Sequence, residues 1–181
     1  MKKLIVSTQA SLDSVIENPQ NWVFDYVNDE FFKYASDQLF AAEALIMGRL
    51  TYEGFADAWP ARAGADAFAD RMNSLPKYVA SRTLKGPLTW NANLIQGDLA
   101  QAVAKLKEES GGTILQYGSG ELTRTLLQHG LIDEFRVMAY PVAVGKGLRL
   151  FESIAQTPMK LLETQTFSTG VVILHYQPVH K

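Results

Sequence analysis

The sequence lacks cysteine and has only three histidines among its 181 residues. Without cysteine the protein has no disulfide, no thiolate nucleophile and no cysteine-ligated metal. His129, His175 and His180 stand apart in the sequence, without the His-x-x-x-His or Glu-x-x-His spacing of common metal sites. We therefore expect no metal centre.

A basic region and a long hydrophobic run are also missing. The net charge is −2, and the 17 lysines and arginines are dispersed apart from Lys2 and Lys3. Such a distribution gives no general attraction for nucleic acid or anionic lipid. The apolar run at residues 4–6 is too short for a signal peptide or a membrane span. We expect a cytoplasmic protein with no nucleic-acid or membrane partner.

The overall composition is that of an ordinary globular protein, with 47% hydrophobic and 20% charged residues. A chain of this length can bury a substantial core within one domain. No internal repeat, low-complexity tract or linker divides it. We predict a single domain that spans residues 1–181.

Short apolar runs alternate with helical patterns in the first two thirds of the chain, and strand patterns dominate the last third. Strands are predicted at residues 4–6, 44–47, 78–80, around 88–95, 113–117, 133–139, 160–167 and 171–177. Helices are predicted after Asn28, at 48–53, at 65–72, after Asp98 and at 120–129. This order predicts a three-layer α/β/α fold with a mostly parallel twisted sheet and an antiparallel C-terminal hairpin.

The helix that follows Asn28 is expected to begin with Asn28 or Asp29 as its cap. Its spacing predicts that one face is formed by Phe32, Ala35, Ser36, Leu39 and Phe40.

Gly118-Ser119-Gly120 separates a predicted strand from a predicted helix. A glycine backbone leading into a helix N-terminus exposes free N–H groups and the positive end of the helix dipole, which suits a pyrophosphate. The third glycine of the Rossmann fingerprint is missing, so a simple tight turn is the alternative interpretation.

Two other strand ends carry comparable residues. Gly48, Arg49 and Thr51 follow one strand, and Ser81 and Arg82 follow another. Ligands of open α/β sheets gather at the carboxyl ends of the strands. If the three ends are neighbours, two of the turns hold a pyrophosphate and Arg82 pairs with a third phosphate, the group that distinguishes NADPH from NADH.

These motifs together resemble the dihydrofolate reductase superfamily. The resemblance rests on residues 11–16, the run MGRLTYE at 47–53, residues 81–83 and the strand–glycine–helix unit at 113–128. Residues 131–135 and the run PVAVGKGLRLF at 141–151 are similar to the branch that contains the riboflavin-biosynthesis reductase, or RibD C-terminal, domain. The family usually has glycine at the position of Ser14.

The resemblance implies that Gly48, Arg49 and Thr51 contact the phosphates of NADPH and that Ser81 and Arg82 hold its 2′-phosphate. It implies that Gly118, Ser119, Gly120 and Glu121 lie along the pyrophosphate, with Leu122 against the cofactor. Asp13 and Trp22 are expected to border the nicotinamide or substrate pocket.

Three acidic residues are candidates for the chemistry. Asp13, Asp29 and a bound water are the candidate proton donors, and Glu30 is a candidate substrate ligand. The preference for acidic residues in the first turn of a helix also explains Asp29 and Glu30.

The function expected from these residues is NADPH-dependent transfer of a hydride to a small heterocyclic substrate, pterin-like or ribosylaminopyrimidine-like. The alternative is a catalytically inactive nucleotide-binding module of the same fold. We expect a homodimer, with residues 171–176 as a sheet edge that pairs with a second copy.

Overall fold

The apolar runs form one eight-stranded sheet within residues 1–179, the part of the chain that the computed structural model describes. The strands are β1 (Lys3–Ser11), β2 (Ala42–Gly48), β3 (Lys77–Ala80), β4 (Ala92–Leu94), β5 (Thr113–Tyr117), β6 (Glu134–Tyr140), β7 (Met159–Thr166) and β8 (Val172–Pro178). The helices are α1 (Asp29–Ala41), α2 (Arg49–Ala58), α3 (Ala67–Ser74), α4 (Leu99–Glu108) and α5 (Glu121–Gln128).

The strand order is β4-β3-β2-β5-β1-β6-β8-β7. The pairs from β4 to β6 are parallel, and β8 and β7 add an antiparallel edge. Successive residues of β1 and β2 are buried on both sides, as parallel strands between two helical layers require.

The helices pack on both faces of the sheet and form a hydrophobic cluster on each face. Leu39 of α1, Tyr52 of α2 and Met72 of α3 pack with Leu45 and Leu115 on one face of the sheet. The opposite face carries α4 and α5, whose Val103, Leu122, Leu126 and Leu127 pack with Leu4, Val6 and Ile46. The three-layer α/β/α fold with its antiparallel hairpin is therefore confirmed.

The predicted face of α1 is confirmed for Leu39 but wrong for Phe32 and Phe40. Phe32 and Phe40 are 60% and 51% exposed, and the buried residues are Tyr34, Gln38 and Leu39. Tyr34 faces the core because its ring packs on Phe167, with centroids 5.9 Å apart, while its hydroxyl lies 3.0 Å from His175 Nε2. An aromatic ring with a paired polar tip can be fully buried, which the apolar spacing alone does not reveal.

Two other expectations need correction. Residues 171–176 do not form a sheet edge, because β8 lies between β6 and β7 and pairs with both. The edge is β7, where the register shift between Leu161 and Glu163 is of the kind that discourages pairing with another chain. The strand expected around residues 88–95 is limited to Ala92–Leu94, since Trp90 and Asn91 adopt positive φ values of 59° and 51°.

Lys77, at the start of β3, gives the stability of this fold a pH dependence. It is fully buried, donates to the Asn73 carbonyl at 2.8 Å and lies 4.1 Å from the Trp90 ring centroid. Burial lowers the pKa of Lys77 from 10.5 to about 8. Between about pH 8 and pH 10.5, Lys77 is protonated in the unfolded chain but deprotonated in the folded chain. The free energy of unfolding therefore rises with pH in this interval.

We therefore expect wild type to gain stability relative to Lys77→Met between about pH 8 and pH 10. Urea unfolding of both proteins across this range measures the difference. Parallel pH profiles for the two proteins would contradict the burial of an ionisable Lys77.

Candidate functional site

The carboxyl ends of β3, β2 and β5 lie side by side, because these strands are consecutive in the sheet and parallel. The segments that follow them begin at Ser81, Arg49 and Gly118. A cleft of about 720 Å³ opens along these three ends.

The cleft exists because the chain leaves two neighbouring strands in opposite directions. After β2 the chain enters α2 on one face of the sheet, and after β5 it enters α5 on the other face. The gap between these helices is a topological switch point, where open α/β sheets bind ligands.

The two helices at the cleft start differently from the others. Side-chain oxygens of Asn28, Asp66 and Asp98 cap α1, α3 and α4 by accepting from backbone N–H groups at 2.7–3.0 Å. The cap positions of α2 and α5 are Gly48 and Gly120, and no side chain caps either helix. Since the first N–H groups of a helix have no partner within it, both helix starts offer donors to the cleft.

The glycines at the cleft have distinct reasons to be glycine. Gly118 has φ 75°, and a Cβ there would lie 2.4 Å from Thr51 Oγ1, so a side chain at this position would strain the backbone and displace the Thr51 side chain of α2. Gly48 has φ −81°, and a Cβ there would meet no atom within 4 Å. Neither the backbone conformation nor the packing therefore requires glycine at position 48. The missing side chain leaves open space beside the free N–H groups of α2, and a bound phosphate needs such space.

Both arginines of the cleft have carboxylate partners. Arg49 Nη1 lies 3.0 Å from Glu53 Oε2. Arg82 contacts Glu121 across the cleft, with side chains that are 83% and 68% exposed. Exposed pairs of this kind contribute only about 0–1 kcal/mol, so a phosphate can displace the carboxylates at little cost.

The structure brings together every residue predicted to bind the cofactor. The cleft is lined by Gly48, Arg49, Thr51, Ser81, Arg82, Gly118, Ser119, Gly120, Glu121 and Leu122. It is also lined by Gln116, Thr125 and Leu148, which the sequence reasoning missed. Leu148 lies in a block recognised as a family motif, but no pattern distinguishes Gln116 from an ordinary strand residue.

Asp13 lies outside the cleft lining and holds two loops together. Its carboxylate accepts from Ser11 Oγ at 2.7 Å and from the backbone N–H groups of Val144 and Gly145 at 2.9 and 2.8 Å. These hydrogen bonds, led by that of Ser11, hold the pKa of Asp13 far below its usual value. The group is therefore ionised at neutral pH, and its oxygens are occupied.

The loop that Asp13 holds carries Leu148 to the cleft. Ile16 N donates to Leu148 O, and Leu150 N donates to Ser14 O, both at 2.9 Å. Ser14 has φ 66°, a left-handed conformation that explains why glycine suits this position.

Trp22, Asp29 and Glu30 do not line the cleft. Trp22 packs edge-on against Tyr140, with centroids 5.5 Å apart. Glu30 accepts from Ser168 N at 2.7 Å, and its contacts with Ser168 and Asn28 lower its pKa. Asp29 is exposed in the first turn of α1. The catalytic and substrate roles of these residues stay predictions.

Between Met1 and Val179 no three His, Asp or Glu side chains are grouped in an arrangement that could hold a metal ion. In the same part of the chain, no helix has both the length and the apolar character that a membrane crossing needs.

Comparison with known proteins gives concordant results. The sequence model of the RibD C-terminal domain matches residues 2–173. The uncharacterized protein YyaP of Bacillus subtilis is 30% identical over 179 residues, which cover 97% of this chain and 94% of YyaP.

Among solved structures, a Shewanella sp. PV-4 protein assigned to riboflavin biosynthesis has a TM-score of 0.75 at 21% identity, covering 98% of this chain and 99% of that chain. A Thermotoga maritima diaminohydroxyphosphoribosylaminopyrimidine deaminase/5-amino-6-(5-phosphoribosylamino)uracil reductase has a TM-score of 0.68 at 15% identity. The match covers 98% of this chain but only 57% of that longer protein. At these identities the structures establish the fold.

Proposed function

The chain belongs to the RibD C-terminal domain family, and on that premise we propose that it is an NADPH-dependent reductase of a small heterocycle. The observation that carries the proposal is the pair of uncapped helix starts, Gly48–α2 and Gly120–α5, that face one cleft. Two sets of free N–H groups and the positive ends of two helix dipoles suit the two phosphates of a dinucleotide.

In this proposal the starts of α2 and α5 hold the pyrophosphate, and Arg82 pairs with the 2′-phosphate. When bound, NADPH supplies the hydride. The protein positions donor and acceptor and excludes water, with Leu122 and Leu148 as apolar walls of the cleft.

We propose a flat, pyrimidine-like ring as the substrate, by analogy with the uracil reductase of Thermotoga maritima. Asp13 is better suited to orienting the 142–149 loop than to donating the proton, because its carboxylate stays ionised and engaged. We also retain as proposals that Asp29 donates a proton and that Trp22 and Glu30 bind the substrate. A single domain, a homodimer and a cytoplasmic location are proposed as well.

Arg82→Ala tests the placement of the cofactor. We expect NADPH to bind about tenfold more weakly to this variant while NADH affinity is unchanged, because only NADPH carries the phosphate that Arg82 pairs with. The matched variant Glu121→Gln removes the competing carboxylate and should bind NADPH more tightly than wild type. Isothermal titration calorimetry with both nucleotides measures these differences.

Absence of NADPH binding to wild type at millimolar concentration would refute the proposal. Turnover is measured by NADPH oxidation over a panel of pyrimidines and pterins. Binding without oxidation of NADPH across that panel would instead favour an inactive nucleotide-binding module.

A further inference from the structure

Gln116, in the middle of the sheet on β5, has a side-chain amide with a fixed orientation. The residue is fully buried, and its Nε2 donates to Gly118 O at 2.9 Å and to Thr123 Oγ1 at 2.6 Å. The opposite orientation would place Oε1 against the Gly118 carbonyl, where two acceptors would repel each other. The hydrogen-bond network therefore assigns which atom is the oxygen.

The Oε1 atom of Gln116 has no hydrogen-bond partner among the residues that the structure describes. Buried side-chain oxygens in folded proteins are almost always paired, so an unpaired one calls for an explanation. Gln116 also lines the cleft between α2 and α5. A molecule in that cleft can supply the missing donor.

The type of group that can donate a hydrogen bond to Gln116 Oε1 can be deduced. Phosphate and pyrophosphate oxygens only accept hydrogen bonds when ionised, so Oε1 requires a hydroxyl or an amide N–H. Gln116 is in register with Ile46 of β2 and Val6 of β1, whereas Arg82 follows β3, two strands away from β5. Of the three strands that end at the cleft, β5 is the farthest from Arg82, so a dinucleotide with its 2′-phosphate at Arg82 and its pyrophosphate between α2 and α5 has its nicotinamide half on the β5 side of the cleft.

We propose that Gln116 Oε1 accepts a hydrogen bond from the nicotinamide riboside half of the cofactor, through a ribose hydroxyl or the carboxamide. This inference rests on the proposed function and adds to it a binding residue for the reacting half of the ligand. The same amide fixes the Gly118 carbonyl through Nε2, so one side chain links the phosphate turn to the nicotinamide end.

The first test uses Gln116→Met, which keeps the volume and removes the acceptor. We expect NADPH and reduced nicotinamide mononucleotide to bind about tenfold more weakly, while 2′,5′-ADP binds within about twofold of wild type. The matched control is Thr123→Val, which removes a partner of Nε2 and leaves Oε1 in place. The affinity of Thr123→Val for reduced nicotinamide mononucleotide should be less than about threefold below that of wild type.

A uniform loss of affinity for all three ligands in Gln116→Met, reproduced by Thr123→Val, would show that Gln116 only supports the turn, and the inference would fall. Failure of wild type to bind either NADPH or 2′,5′-ADP would instead remove the proposed function itself.

The second test uses wild-type protein and so does not depend on the folding of a variant. The reduced 3-acetylpyridine analogue of NADPH lacks the carboxamide N–H, and an analogue with a 2′,3′-dideoxy nicotinamide ribose lacks the hydroxyls. About tenfold weaker binding of one of them identifies the donor. Unchanged binding of both analogues overturns the inference.

Discussion

Replacing Gly118 with alanine should destabilise the protein by about 2–5 kcal/mol, the sum of a left-handed backbone penalty and an overpacking cost. The backbone at Gly118 has φ 75°, and the new Cβ would lie 2.4 Å from Thr51 Oγ1. Thr51 must move away, which also disturbs the start of α2 in the cleft. Urea unfolding measures the stability, and calorimetry with NADPH measures the accompanying loss of affinity.

The matched control is Gly54→Ala, the same change within α2. An added Cβ at Gly54 meets nothing within 4 Å, and no positive φ is involved. This variant should be more stable than wild type by about 0.5–1 kcal/mol, because alanine favours the helix interior. If Gly118→Ala were as stable as Gly54→Ala, the close approach of the β5 turn to α2 would be disproved.

The residues that line the cleft were accessible from the sequence because their setting follows from local patterns. A short apolar run before Gly48, another before Ser81 and a third before Gly118 each indicate a buried parallel strand, and such strands end at one edge of the sheet. The common location of these residues therefore needs no knowledge of side-chain contacts.

The role of Asp13 was not accessible in the same way. Its partners Val144 and Gly145 lie 131 and 132 residues further along the chain. The residue type and its loop position predict neither of these partners, so the contacts of Asp13 become evident only in the folded protein.

The buried face of α1 and the unpaired oxygen of Gln116 also depend on polar contacts that only the folded chain makes. Tyr34 is buried in place of Phe32 because its hydroxyl pairs with His175, and His175 belongs to the last strand. Gln116 is a buried polar residue whose unpaired oxygen becomes evident only when the partners of its nitrogen are known. Pairwise polar contacts between distant segments leave no periodic signal in the sequence.

Replacing Gly48 with aspartate should change stability and cofactor binding in opposite directions. Gly48 occupies the cap position of α2 with φ −81° and ψ 171°, an extended conformation that suits a capping aspartate. There is room for the side chain, since an added Cβ meets no atom within 4 Å. The free energy of unfolding should therefore rise by about 0.5–1 kcal/mol, from the cap and its interaction with the helix dipole.

In the proposed site the same carboxylate takes the donors that the pyrophosphate needs and repels its charge. Two unit charges about 4 Å apart near a protein surface interact by about 4 kcal/mol, so the affinity for NADPH should fall close to a thousandfold. Gly48→Ala, which adds the Cβ without the charge, should lose only about tenfold. Thermal unfolding without ligand and calorimetry with NADPH measure the two effects on the same samples. A Gly48→Asp protein that is more stable yet binds NADPH like wild type would place the pyrophosphate away from α2, because the added carboxylate would otherwise repel the phosphate charge.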